Sequence, residues 1–208
     1  MGNYLQTHQQ SIQAPEIFWA EQAKRIYWEK PFSQVLDYSA PPFAKWFVGG
    51  KTSICYNAID RHLQDRAEQT ALIAVSVETD TEQTYSYQEL YLEVNRMAAI
   101  LKSYGVGKGD RVLIYMPMVA QACFAMLAVL RLGAIHSVVF GGFASHSLAA
   151  RIEDAEPKFI ITAEAGIRAG KVLPYKPLLD EAIEISTHKP EHVLIVSRGL
   201  SSFVSVAG

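Results

Sequence analysis

Residues 111–143, RVLIYMPMVAQACFAMLAVLRLGAIHSVVFGGF, decide how the rest of the chain is read. Val112–Tyr115 follows the turn signal Gly109-Asp110 and contains no charged residue, as a strand buried on both faces requires. Pro117 stands where a new helix can start, because its fixed φ suits the first helical position; the spacing then predicts a helix over Met118–Leu132. Ile135–Phe140 is a second apolar strand, ended by Gly141-Gly142-Phe143. The competing reading is one membrane span from Val112 to Leu130, close to the ~20 residues a bilayer needs. The turn before Val112 and the break at Pro117 favour strand, turn and helix instead.

The same alternation continues on both sides. Ala71–Val77 and Gln83–Tyr85 flank the polar stretch Glu78–Glu82, the pattern of a hairpin. Ser86 and Glu89 have the spacing of a capping box. Behind it Leu90, Val94, Met97, Leu101 and Tyr104 recur at helical intervals until Gly105 stops the helix. Towards the carboxyl end, helices over about Ser147–Ala155 and Pro177–Thr187 alternate with strands at Lys158–Thr162 and His192–Val196. The predicted fold class is therefore α/β, a mostly parallel sheet with crossover helices. Towards the amino end the pattern is weaker. After Pro15, residues 11–30 place Ile17, Phe18, Ala20, Ile26 and Tyr27 near one face of an amphipathic helix. Pro31, Pro41 and Pro42 then interrupt a stretch read as irregular, and Tyr56–Asp65 reads as a second helix carrying Ile59 and Leu63 inward. Residues 1–65 are expected to form a helical and irregular extension, and residues 66–208 an incomplete α/β domain.

The 208 residues carry 19 Lys+Arg against 21 Asp+Glu, and half of them are hydrophobic. No Lys/Arg run or aromatic-basic interleaving marks a nucleic-acid surface. The polar start MGNYLQTHQQ lacks the apolar core of a secretory signal, and Gln6 replaces the Ser or Thr of a myristoylation signal. Cys55 and Cys123 have no metal-ligand spacing and read as buried thiols in a reducing compartment. The expected address is the cytoplasm, with neither nucleic acid nor membrane as partner.

Three glycine-lysine stretches fail the Gly-x-x-x-x-Gly-Lys-Ser/Thr pattern of a phosphate loop. Lys45 occupies the first glycine position before Gly50-Lys51-Thr52; Gly166 to Lys171 is one residue short and followed by Val172; Gly105–Gly109 connects a helix to a strand. No Gly-x-Ser-x-Gly, His-Glu-x-x-His or Gly-x-Gly-x-x-Gly occurs, and the six His have no ligand spacing. Two stretches survive. Phe140-Gly141-Gly142 ends a strand at the edge where open α/β sheets bind ligands, and paired glycines admit a ring or phosphate close to the backbone. Gly166-Ile167-Arg168-Ala169-Gly170-Lys171 is read as a loop after a strand, with a planar guanidinium fork and a point charge suited to a phosphomonoester. Read structurally, the two are a tight turn and a solvated loop.

WFVGG at 46–50, YNAIDRHL at 56–63, HSVVFGGF at 136–143, RIEDAEPKFIIT at 151–162 and GIRAGKVLPYKPLLDEA at 166–182 resemble, in order, the amino-terminal portion of AMP-forming short-chain acyl-CoA synthetases. The strings CYNAIDRH and YKPLLDEAI are closer to propionate–CoA ligases than to acetate–CoA ligases. The resemblance implies a two-step reaction. ATP and a short carboxylate give an acyl-adenylate and pyrophosphate, and the thiol of coenzyme A then displaces AMP, with Mg2+ required. It further implies that Phe140, Gly141 and Gly142 lie along the coenzyme A nucleotide, that Arg168 and Lys171 meet its 3′-phosphate, and that Leu173 touches its adenine. The family often has Arg where this chain has Lys171, which keeps the charge but gives up the bidentate fork.

The resemblance also implies a Ser/Thr/Gly-rich ATP loop with a Lys, an acidic metal- and ribose-binding set and a catalytic lysine on a mobile carboxy-terminal domain. None of these occurs in the 208 residues, and SSFVSVAG reads as an internal position. The expectation is an amino-terminal fragment, inactive alone, with no catalytic residue or metal ligand of its own and no tightly bound cofactor. Its partners would be small-molecule substrates (carboxylate, ATP and coenzyme A) and the remainder of its own chain. The alternative is a naturally short, non-catalytic module binding coenzyme A or another nucleotide.

Overall fold

A computed structural model describes residues 3–201. The chain divides into two units, Met1–Arg61 and His62–Gly208. In the first, helix α1 (Tyr4–Gln13) is capped by Asn3, whose side chain accepts from the Leu5 amide. Helix α2 (Pro15–Ala23) starts on the predicted Pro15 but ends well short of residue 30, and only Ala23 is buried. The amphipathic helix expected over 11–30 is therefore corrected to two shorter helices. Tyr27 lies beyond the end of α2 and is held by Asn57, which accepts from its amide at 2.8 Å and donates to its carbonyl at 3.1 Å.

The stretch read as irregular is an antiparallel hairpin, β1 (Gln34–Ala40) and β2 (Phe43–Val48), with Leu36 opposite Trp46 and Asp37 opposite Lys45. Pro41-Pro42 occupies its turn, where a missing N–H removes no ladder bond. The rings of Trp28, Phe32 and Phe47 meet pairwise at 5.1–5.2 Å, so the aromatic residues form their own cluster. The helix expected over Tyr56–Asp65 is likewise broken. Helix α3 (Ile54–Ala58), capped by Ser53, is followed by a 3-10 turn at Asp60–His62 and the short α4 (Leu63–Arg66). Ile59 is buried as expected, while Leu63 is half-buried.

In the second unit, β3 (Thr70–Ser76) and β4 (Thr81–Ser86) form the predicted antiparallel hairpin. Helix α5 (Tyr87–Ser103) carries the predicted capping box, the Glu89 amide donating to the Ser86 hydroxyl and the Ser86 amide to the Glu89 carboxylate. It buries Leu90, Val94, Ala98 and Leu101; Met97 is half-buried and Tyr104 half exposed. Strand β5 (Arg111–Met116), helix α6 (Ala120–Arg131), strand β6 (Ile135–Phe140), helix α7 (Ser145–Ala155) and strand β7 (Phe159–Ala163) follow. Then come the short β8 (Ala165–Arg168) and β9 (Lys171–Pro174), helix α8 (Tyr175–Ile185) and strand β10 (His192–Val196). Pro117 is not the first residue of α6. It lies in a turn in which the Val119 amide donates to its carbonyl, and the helix starts at Ala120.

The main sheet has the order β10-β7-β5-β6, all parallel. Val112 to Met116 of β5 are all buried. Leu113 and Tyr115 face a core with Ile160, Leu148 and Ile152 of α7 and Leu179 and Ala182 of α8. By strand alternation Val112, Ile114 and Met116 point to the opposite face, where α6 packs on β5 and β6 and against α5. Arg111 ties the start of β5 to the end of α7, donating to the carbonyls of Ala155 and Glu156 at 2.9 and 3.0 Å. From β5 the chain steps to β6 on one side and then crosses to β7 on the other. That reversal opens a crevice at the carboxyl ends of β5, β6 and β7.

Ser86→Ala removes the cap of α5 and is expected to lower the unfolding free energy by about 1 kcal/mol in denaturant titrations. The Ser86 amide and hydroxyl hold the Glu89 carboxyl below its ordinary value of 4.5. Its contribution is complete above the unfolded value and lost as pH falls through the folded one. The destabilisation by Glu89→Ala, measured at neutral pH, should therefore shrink in acid as the carboxyl is protonated in both states.

Candidate nucleotide-binding site at the sheet edge

The β6–α7 connection carries Phe140, Gly141, Gly142 and Phe143 into the crevice, closed by a Phe143 amide to Phe140 carbonyl bond of 3.4 Å. Gly142 has φ +95°, a conformation L side chains rarely adopt. A Cβ there would also lie 2.9 Å from Leu173 Cδ2 and 3.9 Å from Arg168 Nη1. The guanidinium carbon of Arg168 lies 5.9 Å from the centre of the Phe140 ring. The structure thus brings Phe140, Gly142, Arg168 and Leu173 together.

The stretch 166–171, read from sequence as a loop, is instead part of an antiparallel hairpin. Gly166 pairs with Leu173, Ile167 with Val172 and Arg168 with Lys171. Ala169 and Gly170 make its tight turn with φ of 50° and 72°, the two positive values a hairpin turn of this length favours. Pairing across the ladder sets the two cations side by side at the exposed end of the hairpin. Lys171 joins the group through that register, and Leu173, half-buried on β9, is turned towards the glycine turn.

Beneath these loops lie two tyrosines that sequence reasoning did not single out. The buried Tyr115 hydroxyl donates to the Phe143 carbonyl at 3.0 Å and accepts from the Gly142 amide at 3.3 Å. Burial pushes its pKa up to about 12, against the opposing effect of the Gly142 N–H, so it is a neutral phenol near pH 7. The Tyr175 ring lies 5.0 Å from that of Tyr115, and burial raises its pKa too. The one sequence signal for Tyr115 was a hydroxyl at the end of an otherwise apolar buried strand, which requires a partner.

A cleft of about 530 Å³ opens beside the hairpin, walled by Met116, Val138, Phe140 and Ile167, with Arg168, Arg198 and Glu78 at its charged margin. Arg198 donates to the Ala165 carbonyl at 3.2 Å. Glu164, fully buried, accepts from the Arg198 and Leu200 amides through Oε1, while its Oε2 has no partner among the described residues. Neither residue carried a sequence signal. A turn without Cβ atoms, two adjacent cations and an aliphatic wall together suit a phosphorylated nucleotide: phosphate oxygens at the cations, a base against the wall. Among the described residues no group of three or more His, Cys, Asp or Glu side chains could hold a metal ion, and no helix is long and apolar enough to cross a membrane.

Comparison with known proteins places the whole chain in a family. Residues 59–202 match the family model described as AMP-binding enzyme, and residues 4–58 match the one described as acetyl-coenzyme A synthetase N-terminus. The chain is 57% identical to propionate–CoA ligase of Escherichia coli (strain K12), over 99% of its own length and 33% of that protein. It is 44% identical to the human mitochondrial acyl-CoA synthetase short-chain family member 3, over 95% of its length and 29% of that protein. It thus spans about a third of the length of the curated relatives it matches. Among solved structures, the acetoacetyl-CoA synthetase of Streptomyces lividans superposes with a TM-score of 0.81 at 26% identity, covering 94% of this chain and 32% of that one. With two thirds of its residues under that one family model, the chain belongs to the AMP-binding enzyme family.

Proposed function

We propose that this chain is the amino-terminal part of an AMP-forming acid–thiol ligase that converts a short carboxylate, propionate or acetate, with ATP and coenzyme A into acyl-CoA, AMP and pyrophosphate. The supporting observation is the convergence of Phe140, Gly142, Arg168 and Leu173, with Lys171 alongside Arg168, at the carboxyl edge of the parallel sheet. In this reading Arg168 and Lys171 hold the 3′-phosphate of coenzyme A, Leu173 packs on its adenine, and Phe140, Gly141 and Gly142 lie along the nucleotide.

When bound, coenzyme A supplies the thiol that displaces AMP from the activated acid. The residues of this chain bind and orient that ligand and build the sheet behind it. The contacts to ATP, the required Mg2+ and the lysine that assists adenylation belong to other parts of the ligase, so the isolated 208 residues are inactive. The working compartment in this proposal is the cytoplasm.

Two measurements on the intact protein test the reading. With propionate or acetate, ATP, Mg2+ and coenzyme A it should release AMP and form a thioester; no thioester from either acid overturns the ligase reading. Replacing Arg168 and Lys171 together by Ala should weaken coenzyme A by tenfold or more in isothermal titration, from the loss of about 1.5–3 kcal/mol of charge-assisted contact. The affinity of 3′-dephospho-coenzyme A should barely change. Equal losses for both ligands would remove the 3′-phosphate from these side chains.

A further inference from the structure

We infer that Tyr115 and Tyr175 are positioning residues, an internal strut that sets the spacing between the glycine turn after β6 and the Arg168 hairpin. The inference rests on the reading that these two loops share one phosphorylated ligand. Neither phenol is offered to solvent: Tyr115 is 0% and Tyr175 5% exposed. The Tyr115 hydroxyl rises from the central strand and holds the turn by two hydrogen bonds, to the Gly142 amide and the Phe143 carbonyl.

Tyr175 holds the other side. Its amide donates to the Glu164 carbonyl at 2.9 Å, which anchors the start of α8 directly before β8. Its hydroxyl oxygen lies 2.5 Å from where a Cβ on Gly141 would stand and 2.4 Å from the same point on Gly166. One phenol oxygen therefore fills the space that two side chains, one from each loop, would occupy. Gly141 belongs to the turn and Gly166 to the hairpin strand that leads to Arg168, so the oxygen is the spacer between the two halves of the site. The Tyr115 ring, tilted by 36° against that of Tyr175 with centroids 5.0 Å apart, supports it from the sheet side.

This geometry makes the strut a determinant of phosphate recognition rather than of stability alone. Removing an oxygen from either ring keeps the apolar packing but frees one loop to shift against the other. The cations would then no longer sit at a fixed distance from a nucleotide seated on Gly142.

The test is the preference of the intact protein for coenzyme A over 3′-dephospho-coenzyme A, measured by calorimetry for the parent, Tyr115→Phe and Tyr175→Phe. In Tyr115→Phe the preference should fall about tenfold, the equivalent of one to two neutral hydrogen bonds. In Tyr175→Phe it should fall several-fold, and in the double variant by less than the product, because both act through one strut. A purely structural role would weaken both ligands in parallel and leave the preference intact, and that result overturns the inference. Should Tyr175→Phe not fold, Tyr115→Phe decides alone. A parent protein with no preference between the two ligands would instead overturn the 3′-phosphate reading on which the strut depends.

Discussion

Strand β5 is hydrogen-bonded on both sides and buried on both faces, and the rest of the α/β unit is arranged to satisfy that double burial. A strand so placed can carry no charged side chain between its ends, which is why Val112 to Met116 is apolar apart from one phenol. It needs a layer of helices on each face and a parallel neighbour on each side. Because β6 and β7 flank it, the connection from β6 must cross over it, and the crevice at the carboxyl edge follows from that reversal.

The one hydroxyl at the end of β5 then does two things at once. Tyr115 must find partners for its oxygen, since an unpaired buried polar group is costly. The partners it finds are the amide and carbonyl of the turn that enters the crevice. The core's own polar requirement thereby orders the binding edge. Tyr175 extends that order to the hairpin, so the turn that can admit a ligand and the cations that can hold its phosphate are both referred to the sheet. Exposed cations at a hairpin tip are poor recognition elements when free to move, because their contacts must offset lost side-chain freedom.

The amino-terminal unit obeys different rules. Its helices bury little, and its hairpin is organised around aromatic contacts and the bracing of Tyr27 by Asn57 rather than around alternating burial. Hydrophobic periodicity is therefore a weak guide there. The helix over 11–30 and the irregular stretch around Pro41 and Pro42 were misread for that reason, whereas the runs at 112–115, 135–140 and 192–196 were legible because burial dictates their composition.

Sequence alone determined the alternation of strands and helices from residue 71 onward, the Ser86–Glu89 cap, and the two stretches that bear the candidate site. Each of these is local: a run, a spacing or a pair of glycines bears its own signal. Tertiary structure decided that Gly166–Lys171 is a hairpin rather than a loop. It also decided that Leu173 and Arg168 meet Gly142, and that Tyr115, Tyr175, Glu164 and Arg198 lie behind or beside them. Those placements depend on strand order and on which residues converge across long separations in the chain. Only the crossing of the chain over β5 brings residues near 140 and near 170 to the same edge of the sheet.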